Sequence, residues 1–364
     1  MKKKIIFAIP ALKVGGAEKV FTDLVLNFDE KIFDILVIVF DGSESFLLKK
    51  IKKKIKIINL NKKRVSYGIF KFIEIVNKFK PEYIFSTIGN LNIMICLVQF
   101  LFVKKAKIIV RETNFLSKNI NQNRFSIIWK ILYKINLKKA DIIIALSESI
   151  KSDLIKNFQI QKEKIKVIYN PVNFVDIKKL SQSKQNHVIP FNKKYTNFLA
   201  CGSLSYKKGF DVLIEAFKLV NIKNYRLLIL GSGPLNEILR KKVKDYKLQN
   251  TIKFLSRLEN PYPIMQRADS LIISSRYEGC SNVMLEALFL RKPIISVPCL
   301  GANVEILIKK KNCFLSKNCT SLSLSKVINF FLLKKLKNKK TFLEKSFDTK
   351  NVVQKYQKII LNIK

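Results

Sequence analysis

The chain has 364 residues, 48% of them hydrophobic, so it is long enough for two domains and too apolar to be disordered. Its 69 Lys and Arg against 26 Asp and Glu give a formal charge of +43, which is typical of polyanion binding and equally of A/T-rich codon usage, since the chain is also rich in Ile, Asn and Phe. One His and six Cys without a C-x-x-C pair argue against zinc and redox sites and favour a reducing, cytoplasmic compartment.

Short β-branched segments alternate with longer helical patterns along the chain, which is typical of βαβ units and parallel sheets. The Lys-rich start leads directly into an apolar run that is too short for a signal-peptide core, so we interpret this run as the first strand. The strands predicted in the first half are 4–9, 35–40, 55–59, 83–86, 107–111, 142–145 and 166–169.

Residues 83–103 form an apolar segment nearly long enough to span a bilayer. Polar side chains occur throughout the segment, and Gly89 lies in its middle. These features favour a short buried strand, a turn and a buried helix over a lipid-facing helix.

A polar stretch from 170 to 194 interrupts the alternation and indicates a linker. Further strands are predicted at 197–201, 225–230, 251–254, 270–274 and 293–297, with a last helix at about 349–363. The predicted domains are an N-terminal Rossmann-like domain (1–172), a linker (173–196), a C-terminal Rossmann-like domain (197–345) and a C-terminal helix (346–364).

Three glycine-containing turns follow predicted strands, where backbone N–H groups can approach a phosphate at a helix N-terminus. None matches G-x-G-x-x-G or the Walker pattern, and each is also compatible with a plain βα turn. Lys208 lies where such a turn would meet a diphosphate, although a solvated surface lysine is the alternative interpretation. The turns are Gly15-Gly16, Gly202 with Lys207-Lys208-Gly209, and Gly231-Ser232-Gly233.

Residues 274–287 contain the most distinctive pattern in the chain. Glu278 follows a predicted strand, and Glu286 lies about one turn into an apolar helix that begins near Ser281 or Asn282. A carboxylate on an apolar helix face needs a partner, and a vicinal diol can donate two hydrogen bonds to it. A capping or salt-bridged glutamate pair is the alternative interpretation.

Six short motifs in this order resemble the retaining glycosyltransferases of family 4. The resemblance covers essentially the whole chain and implies the GT-B fold, an α/β architecture of two doubly wound Rossmann-like domains facing across a cleft. The sequence leaves open on which of the two domains the C-terminal helix packs, so that crossing back is one of two alternatives. The motifs are Gly15-Gly16-Ala17-Glu18, Ala140-Asp141-Ile142 with Ala145-Leu146-Ser147-Glu148, Ile168-Tyr169-Asn170-Pro171-Val172, Gly202-Ser203-Leu204 with Lys208-Gly209-Phe210-Asp211, Gly231-Ser232-Gly233-Pro234, and the Glu278 and Glu286 pair.

The resemblance implies a role for each matching residue. The Glu286 position holds the nucleotide ribose, the Glu278 position lies against the donor sugar, and the Lys208 position contacts the diphosphate, so that Glu278 and Lys208 are the catalytic candidates. Gly15 and Gly16 form a loop closing over the donor phosphates. The other donor-binding candidates are Gly202, Ser203, Gly233, Gly279, Cys280, Ser281 and Asn282. Neither a metal nor a cofactor is expected.

Two positions depart from the family pattern. Ser203 replaces the usual Arg of the diphosphate clamp, for which Lys207 is a possible substitute with a point charge and no bidentate fork. Many members also carry an N-domain His near the acceptor, whereas the only His of this chain, His187, lies in the predicted linker and receives no catalytic role. Glu112 or Asn114 are alternatives for that function.

The resulting hypothesis is a transferase that moves a hexose or N-acetylhexosamine from a nucleotide diphosphate sugar, a UDP-sugar first, to a lipid-linked or surface glycan such as lipopolysaccharide, capsule or a glycoprotein glycan. The alternatives are a sugar-nucleotide epimerase or another GT-B enzyme, and a basic nucleic-acid-binding protein. The last would require aromatic residues among the basic clusters or a reading motif, and neither is present, so no nucleic-acid partner is expected.

Residues 124–139 have a helical pattern with Ile128, Ile131, Leu132 and Ile135 on one face. Lysines at positions 130, 134 and 138 form a ridge beside that face. The pattern fits an interfacial helix on an anionic membrane surface, and it fits equally a helix that buries its apolar face in the domain core. A peripheral position at the inner face of the membrane is therefore one expectation.

Overall fold

The computed structural model describes residues 1–13, 15–42, 45–102, 105–120, 126–183, 191–222, 224–336 and 339–363. Contacts within the chain define two compact units. The first consists of Met1–Pro171 and Ser346–Lys364, and the second of Val172–Lys345. Each unit is built around its own parallel sheet.

Seven parallel strands form the sheet of the first unit: β1 (Lys3–Ala11), β2 (Phe33–Asp41), β3 (Lys56–Asn59), β4 (Tyr83–Thr87), β5 (Lys107–Glu112), β6 (Ile142–Ala145) and β7 (Ile165–Val167). Their order is β3-β2-β1-β4-β5-β6-β7, which reverses between β1 and β4 as in a doubly wound fold. Phe7 in β1 packs against Phe28 and Phe85, and the central strands are buried on both faces.

Seven helices connect these strands: α1 (Gly16–Asn27), α2 (Phe46–Lys52), α3 (Val65–Phe79), α4 (Gly89–Phe102), α5 (Leu116–Ile120), α6 (Ser126–Leu137) and α7 (Glu148–Phe158). Short polar side chains begin some of them; the hydroxyl of Ser147 caps α7 by accepting a hydrogen bond from the backbone N–H of Ile150. The apolar segment at 83–103 forms β4 followed by α4, as predicted, and none of the described helices combines the length and apolarity that a membrane span requires.

In its described residues the second unit has six parallel strands and seven α-helices. The strands are β8 (Thr196–Cys201), β9 (Tyr225–Leu230), β10 (Ile252–Leu255), β11 (Ser270–Ile273), β12 (Ile294–Ser296) and β13 (Cys313–Leu315), in the order β10-β9-β8-β11-β12-β13. The helices are α8 (Phe174–Ser181), α9 (Phe210–Lys218), α10 (Asn236–Asp245), α11 (Tyr262–Arg267), α12 (Asn282–Phe289), α13 (Ala302–Leu307) and α14 (Ser321–Leu333).

The C-terminal helix α15 (Thr349–Leu361) returns to the first unit and packs against α1. Its Val352, Tyr356 and Ile360 are buried, and the Tyr356 ring meets the edge of the Phe85 ring at 5.9 Å. The core of the first sheet therefore includes residues from both ends of the chain.

Two elements differ from the sequence predictions. Strand β13 was not predicted, because its three residues are only half-buried and carry no β-branched side chain. Helix α8 lies inside the segment predicted as a linker, where Asn173 caps it and Ile177 is buried. The twelve other strands and the doubly wound class are confirmed, with strand ends shifted by at most two residues.

Candidate functional site

The candidate site of the second unit begins at the carboxyl end of β8. Gly202 and Ser203 lead into a single 3-10 turn, Tyr206–Lys208, which ends at Gly209. Gly209 has φ +63°, and a Cβ there would lie 2.1 Å from the carbonyl oxygen of Ser274. Only glycine permits this approach, which places the turn against the end of β11.

Lys208 and Glu278 form a buried ion pair with 2.6 Å between Nζ and Oε1, and their side chains are 19% and 6% exposed. The Ser275 hydroxyl donates to the same carboxylate oxygen. Burial acts to raise the pKa of Glu278, but the charge and hydrogen bond of Lys208, the Ser275 hydroxyl and the charge of Lys207 together hold this pKa below its usual value. Glu278 is therefore a carboxylate at neutral pH.

Lys207 is the second cation of the turn. Burial lowers its pKa, the Glu278 charge opposes that shift, and the Lys208 charge adds to it. Its Nζ lies 5.6 Å from the centre of the Tyr277 ring. Lys207 thus acts on the same carboxylate as Lys208, whereas Ser203, which stands in place of the family's Arg, is exposed.

Arg276 joins the Lys208 turn to the loop that carries Glu278. Its guanidinium donates two hydrogen bonds to the Asp211 carboxylate, at 2.9 and 2.6 Å, and one to the carbonyl of Tyr206 at 2.7 Å. The backbone N–H of Arg276 donates to the carbonyl of Lys207. Sequence analysis missed Arg276, because its partners lie about 65 residues away; Asp211 belongs to the Lys208 motif and was the available signal.

The Glu278 loop is held from the other side by the loop after β12. Gly301 has φ +123°, and a Cβ there would lie 1.6 Å from the Glu278 carbonyl oxygen. The Glu278 N–H donates to the carbonyl of Leu300 at 3.0 Å, and the Ser281 N–H donates to the side chain of the buried Asn303 at 3.3 Å. Neither Gly301 nor Asn303 was predicted from the sequence.

Glu286 lies on α12 with 8% of its surface exposed, and its Oε1 accepts a hydrogen bond from the Tyr262 hydroxyl at 3.1 Å. Burial raises the pKa of the neighbouring Cys201 thiol, the Glu286 charge raises it further, and the Lys208 charge lowers it. Glu286 and Lys208 therefore both lie near the Cys201 thiol.

A small cavity at this site is lined by Cys201, Lys208, Phe210, Leu271, Ile272, Ile273, Ser274, Ser275, Glu278, Ser281 and Val283. Ser281 is the N-cap of α12, and Asn282 begins that helix, directly after Gly279 and the buried Cys280. Among the residues that the structure describes, no group of three His, Cys, Asp or Glu side chains is arranged to hold a metal ion.

The third glycine turn packs against the first. The Leu204 N–H donates to the carbonyl of Ser232, and a Cβ on Gly231 would lie 1.9 Å from the Gly202 carbonyl oxygen. Gly233 lies against the backbone of Leu204, so it supports the Gly202 turn.

Two predicted donor-binding positions lie elsewhere. Gly15 is the N-cap of α1 and Gly16 its first residue, both in the first unit. His187 falls outside the described residues.

A second group of buried polar side chains lies at the carboxyl ends of β4 and β5 in the first unit. The Ser86 hydroxyl donates to Asn92, and the Asn92 amide donates to Glu112 at 2.6 Å. Arg111 donates to Asn170 and Thr87. Asn114, the other alternative to the acceptor-side His, is only partly buried and donates to Thr113. Glu112 is thus the buried member of the two.

Glu112 is expected to make stability depend on pH. Burial raises its pKa from 4.5 to about 7, more than the Asn92 hydrogen bond and Arg111 lower it. Between pH 4.5 and about 7 the native state therefore binds one proton more than the unfolded state. The contribution of Glu112 to the free energy of unfolding is largest below pH 4.5 and is lost as pH rises through about 7. As pH rises from 5.5 to 8, we expect wild type to lose about 2 kcal/mol of unfolding free energy that Glu112→Gln keeps, as measured by urea unfolding.

The matched control is Glu74→Gln, which removes an exposed carboxylate of the same unit and should keep the wild-type pH dependence. Equal pH slopes for Glu112→Gln and wild type would show that Glu112 does not carry this proton.

Two family models match the chain. The model described as Glycosyltransferase Family 4 matches residues 14–175, and the one described as Glycosyl transferases group 1 matches residues 181–346.

The relatives and solved structures agree with these matches. An uncharacterized glycosyltransferase of Methanocaldococcus jannaschii is 30% identical over 79% of this chain and 74% of its own length. The N-acetylgalactosamine-N,N'-diacetylbacillosaminyl-diphospho-undecaprenol 4-alpha-N-acetylgalactosaminyltransferase of Campylobacter jejuni is 28% identical over 79% and 78%. The structure of Anabaena HepE in complex with UDP superposes with a TM-score of 0.72 at 19% identity, over 99% of this chain and 97% of HepE.

Proposed function

The chain belongs to the group 1 and family 4 glycosyltransferases and has their GT-B fold, and on that premise we propose that it transfers a hexose or N-acetylhexosamine from a UDP-sugar to a lipid-linked glycan with retention of configuration. The donor class follows HepE, which binds UDP, and the acceptor class follows the Campylobacter relative, whose name gives a diphospho-undecaprenol glycan.

The buried Lys208–Glu278 pair carries this proposal. Lys208 is held at the end of a glycine turn with little exposure to water, so its charge is weakly screened. In the proposal Lys208 binds the donor diphosphate and stabilises the negative charge that develops on it as the sugar–phosphate bond breaks. The N-terminus of α12 adds a partial positive charge from Ser281 and Asn282.

Glu278 and Glu286 have separate roles in the proposal. Glu286 accepts hydrogen bonds from the two ribose hydroxyls, as a carboxylate can with its two oxygens. Glu278 contacts the hydroxyls of the donor sugar, and its ionised state, maintained by Lys208 and Lys207, makes it an acceptor only. Arg276 and Gly301 fix the loop that carries Glu278.

The test is turnover with a panel of donors. Purified protein is incubated with UDP-glucose, UDP-galactose, their N-acetyl forms or GDP-mannose and a polyprenyl-diphosphate glycan, and nucleotide release and product configuration are measured. We expect UDP release that needs the acceptor, and a product with the donor's anomeric configuration. Release of GDP alone, or an inverted product, would contradict the proposal.

A further inference from the structure

The apolar face of α6 does not pack into the core. Five large aliphatic side chains on this helix are between 39% and 75% exposed: Ile127, Ile128, Ile131, Leu132 and Ile135. On a helix of 3.6 residues per turn they cover a contiguous arc of about 140°. Contiguous apolar patches on soluble proteins mark interaction surfaces, whereas scattered single residues do not. We call these five side chains the α6 apolar face.

The opposite face of α6 anchors the helix to its unit. Tyr133 and Leu137 are buried, the Tyr133 ring meets the edge of the Phe158 ring at 6.2 Å, and its hydroxyl donates to Asn90 at 3.3 Å. A Cβ on Gly89 would lie 2.6 Å from that hydroxyl, so the contact with α4 depends on this glycine. The outward direction of the apolar face is therefore fixed by packing on the other side.

The charged residues of the segment that contains α6 are all basic. Residues 113–140 contain six Lys or Arg and no Asp or Glu. Lys130 is exposed and Lys134 is half-exposed, and their spacing places them one turn apart along one edge of the apolar face, while the exposed Lys138 follows directly after the last residue of α6. Trp129 is half-buried on α6 and contacts the Tyr133 ring at 6.4 Å. Tryptophan is favoured at the boundary between hydrocarbon and water.

We propose that the α6 apolar face inserts into the surface of a bilayer containing anionic lipid, with Lys130, Lys134 and Lys138 over the headgroups. An aliphatic arc bordered by cations, on a segment whose sequence has no acidic residue, has the charge and shape of an interfacial helix. A protein partner would have to supply both an apolar groove and an acidic rim. This proposal rests on α6 alone and is independent of the donor site.

The chain has a single Trp, Trp129, so intrinsic tryptophan fluorescence reports on α6 without any substitution. We expect a blue shift when vesicles of phosphatidylcholine with phosphatidylglycerol are added, a smaller one with phosphatidylcholine alone, and a reduced shift as salt rises. An unchanged emission with the mixed vesicles at low salt would overturn the proposal.

Vesicle sedimentation with two matched triple variants separates the contributions. Because each lysine near an anionic surface is worth about fivefold in affinity, replacing Lys130, Lys134 and Lys138 with Gln should reduce binding to the mixed vesicles by about 100-fold. Replacing Ile128, Ile131 and Ile135 with Gln should reduce binding at least about tenfold on both vesicle types. Replacing the exposed Lys52, Lys53 and Lys54 with Gln removes the same charge elsewhere in the unit and should leave binding near wild type.

The far-UV circular dichroism spectrum and the urea unfolding midpoint should be the same for all three triple variants as for wild type, which shows that the first unit, to which α6 belongs, is folded. Wild-type sedimentation of the isoleucine variant would overturn the proposal. So would a wild-type dimer, seen by analytical ultracentrifugation, that the isoleucine variant abolishes, since a second copy would then cover the α6 apolar face.

Discussion

Lys208→Ala is expected to eliminate measurable transfer and to destabilise the second unit. The ammonium group is 2.6 Å from a carboxylate that is 6% exposed, so its removal leaves Glu278 buried with the Ser275 hydroxyl and the more distant Lys207. Breaking one side of a buried ion pair costs about 3 kcal/mol or more. Loss of a group that stabilises transition-state charge costs about 100- to 1,000-fold in turnover.

A second substitution separates these two effects. In Lys208→Ala with Glu278→Gln, no unpaired carboxylate remains buried, and we expect most of the lost stability to return while turnover stays at least about 100-fold below that of Glu278→Gln alone. Urea unfolding and UDP release measured on the same preparations provide both readouts. A double variant that regains stability and turns over as fast as Glu278→Gln alone would show that Lys208 matters for folding alone.

Glu286→Ala is expected to weaken UDP binding by about 100-fold, because hydrogen bonds to a charged group are worth about 1.5 kcal/mol each and two ribose hydroxyls lose their acceptor. Calorimetric titration with UDP measures this loss. Glu286→Gln keeps one acceptor oxygen and should fall between wild type and the alanine variant. Tyr262→Phe removes the hydroxyl that donates to Glu286 and should bind UDP within a few-fold of wild type.

Inorganic diphosphate distinguishes a ribose contact from a misfolded site. It has no ribose, so wild type and Glu286→Ala should bind it equally. If Glu286→Ala binds UDP as tightly as wild type, the proposed ribose contact is wrong. If diphosphate binding is lost as well, Glu286 acts on the structure of the site and not on ribose.

The sequence predicted the sheets well because parallel strands buried on both faces have a strong local pattern. Tyr225–Leu230 contains a single charged residue, Lys107–Glu112 has the apolar run 108–110 at its centre, and both were located to within one residue. Cys313–Leu315 was missed because it lies at the sheet edge, is only half-buried and makes its hydrogen bonds with one neighbouring strand.

The site was predicted only where its residues cluster in the sequence. Lys208, Glu278 and Glu286 were singled out from local motifs, and the structure pairs Lys208 with Glu278 and places Lys208 and Glu286 near the Cys201 thiol. Arg276 and Gly301 were not recognised from the sequence. Arg276 meets the Asp211 carboxylate, and Gly301 meets the Glu278 carbonyl, only in the folded chain.

Helix α6 shows a different limit of sequence reasoning. The pattern of Ile128, Ile131 and Ile135 correctly indicated an apolar helix face. Periodicity shows that such a face exists, but it does not show whether the face is buried in the domain or exposed. The structure shows that Tyr133 and Leu137 form the buried face instead, since they contact the neighbouring helices of the unit.

Saturation-transfer NMR with UDP and wild-type protein tests the central claim, a UDP-sugar site at Lys208, Glu278 and Glu286, most directly. We expect saturation of the uridine and ribose protons of UDP, stronger sugar signals for one UDP-sugar than for the others, and loss of all of these in Glu286→Ala. GDP-mannose should not displace UDP. Absence of UDP signals in wild type, or signals that persist unchanged in Glu286→Ala, would contradict the account.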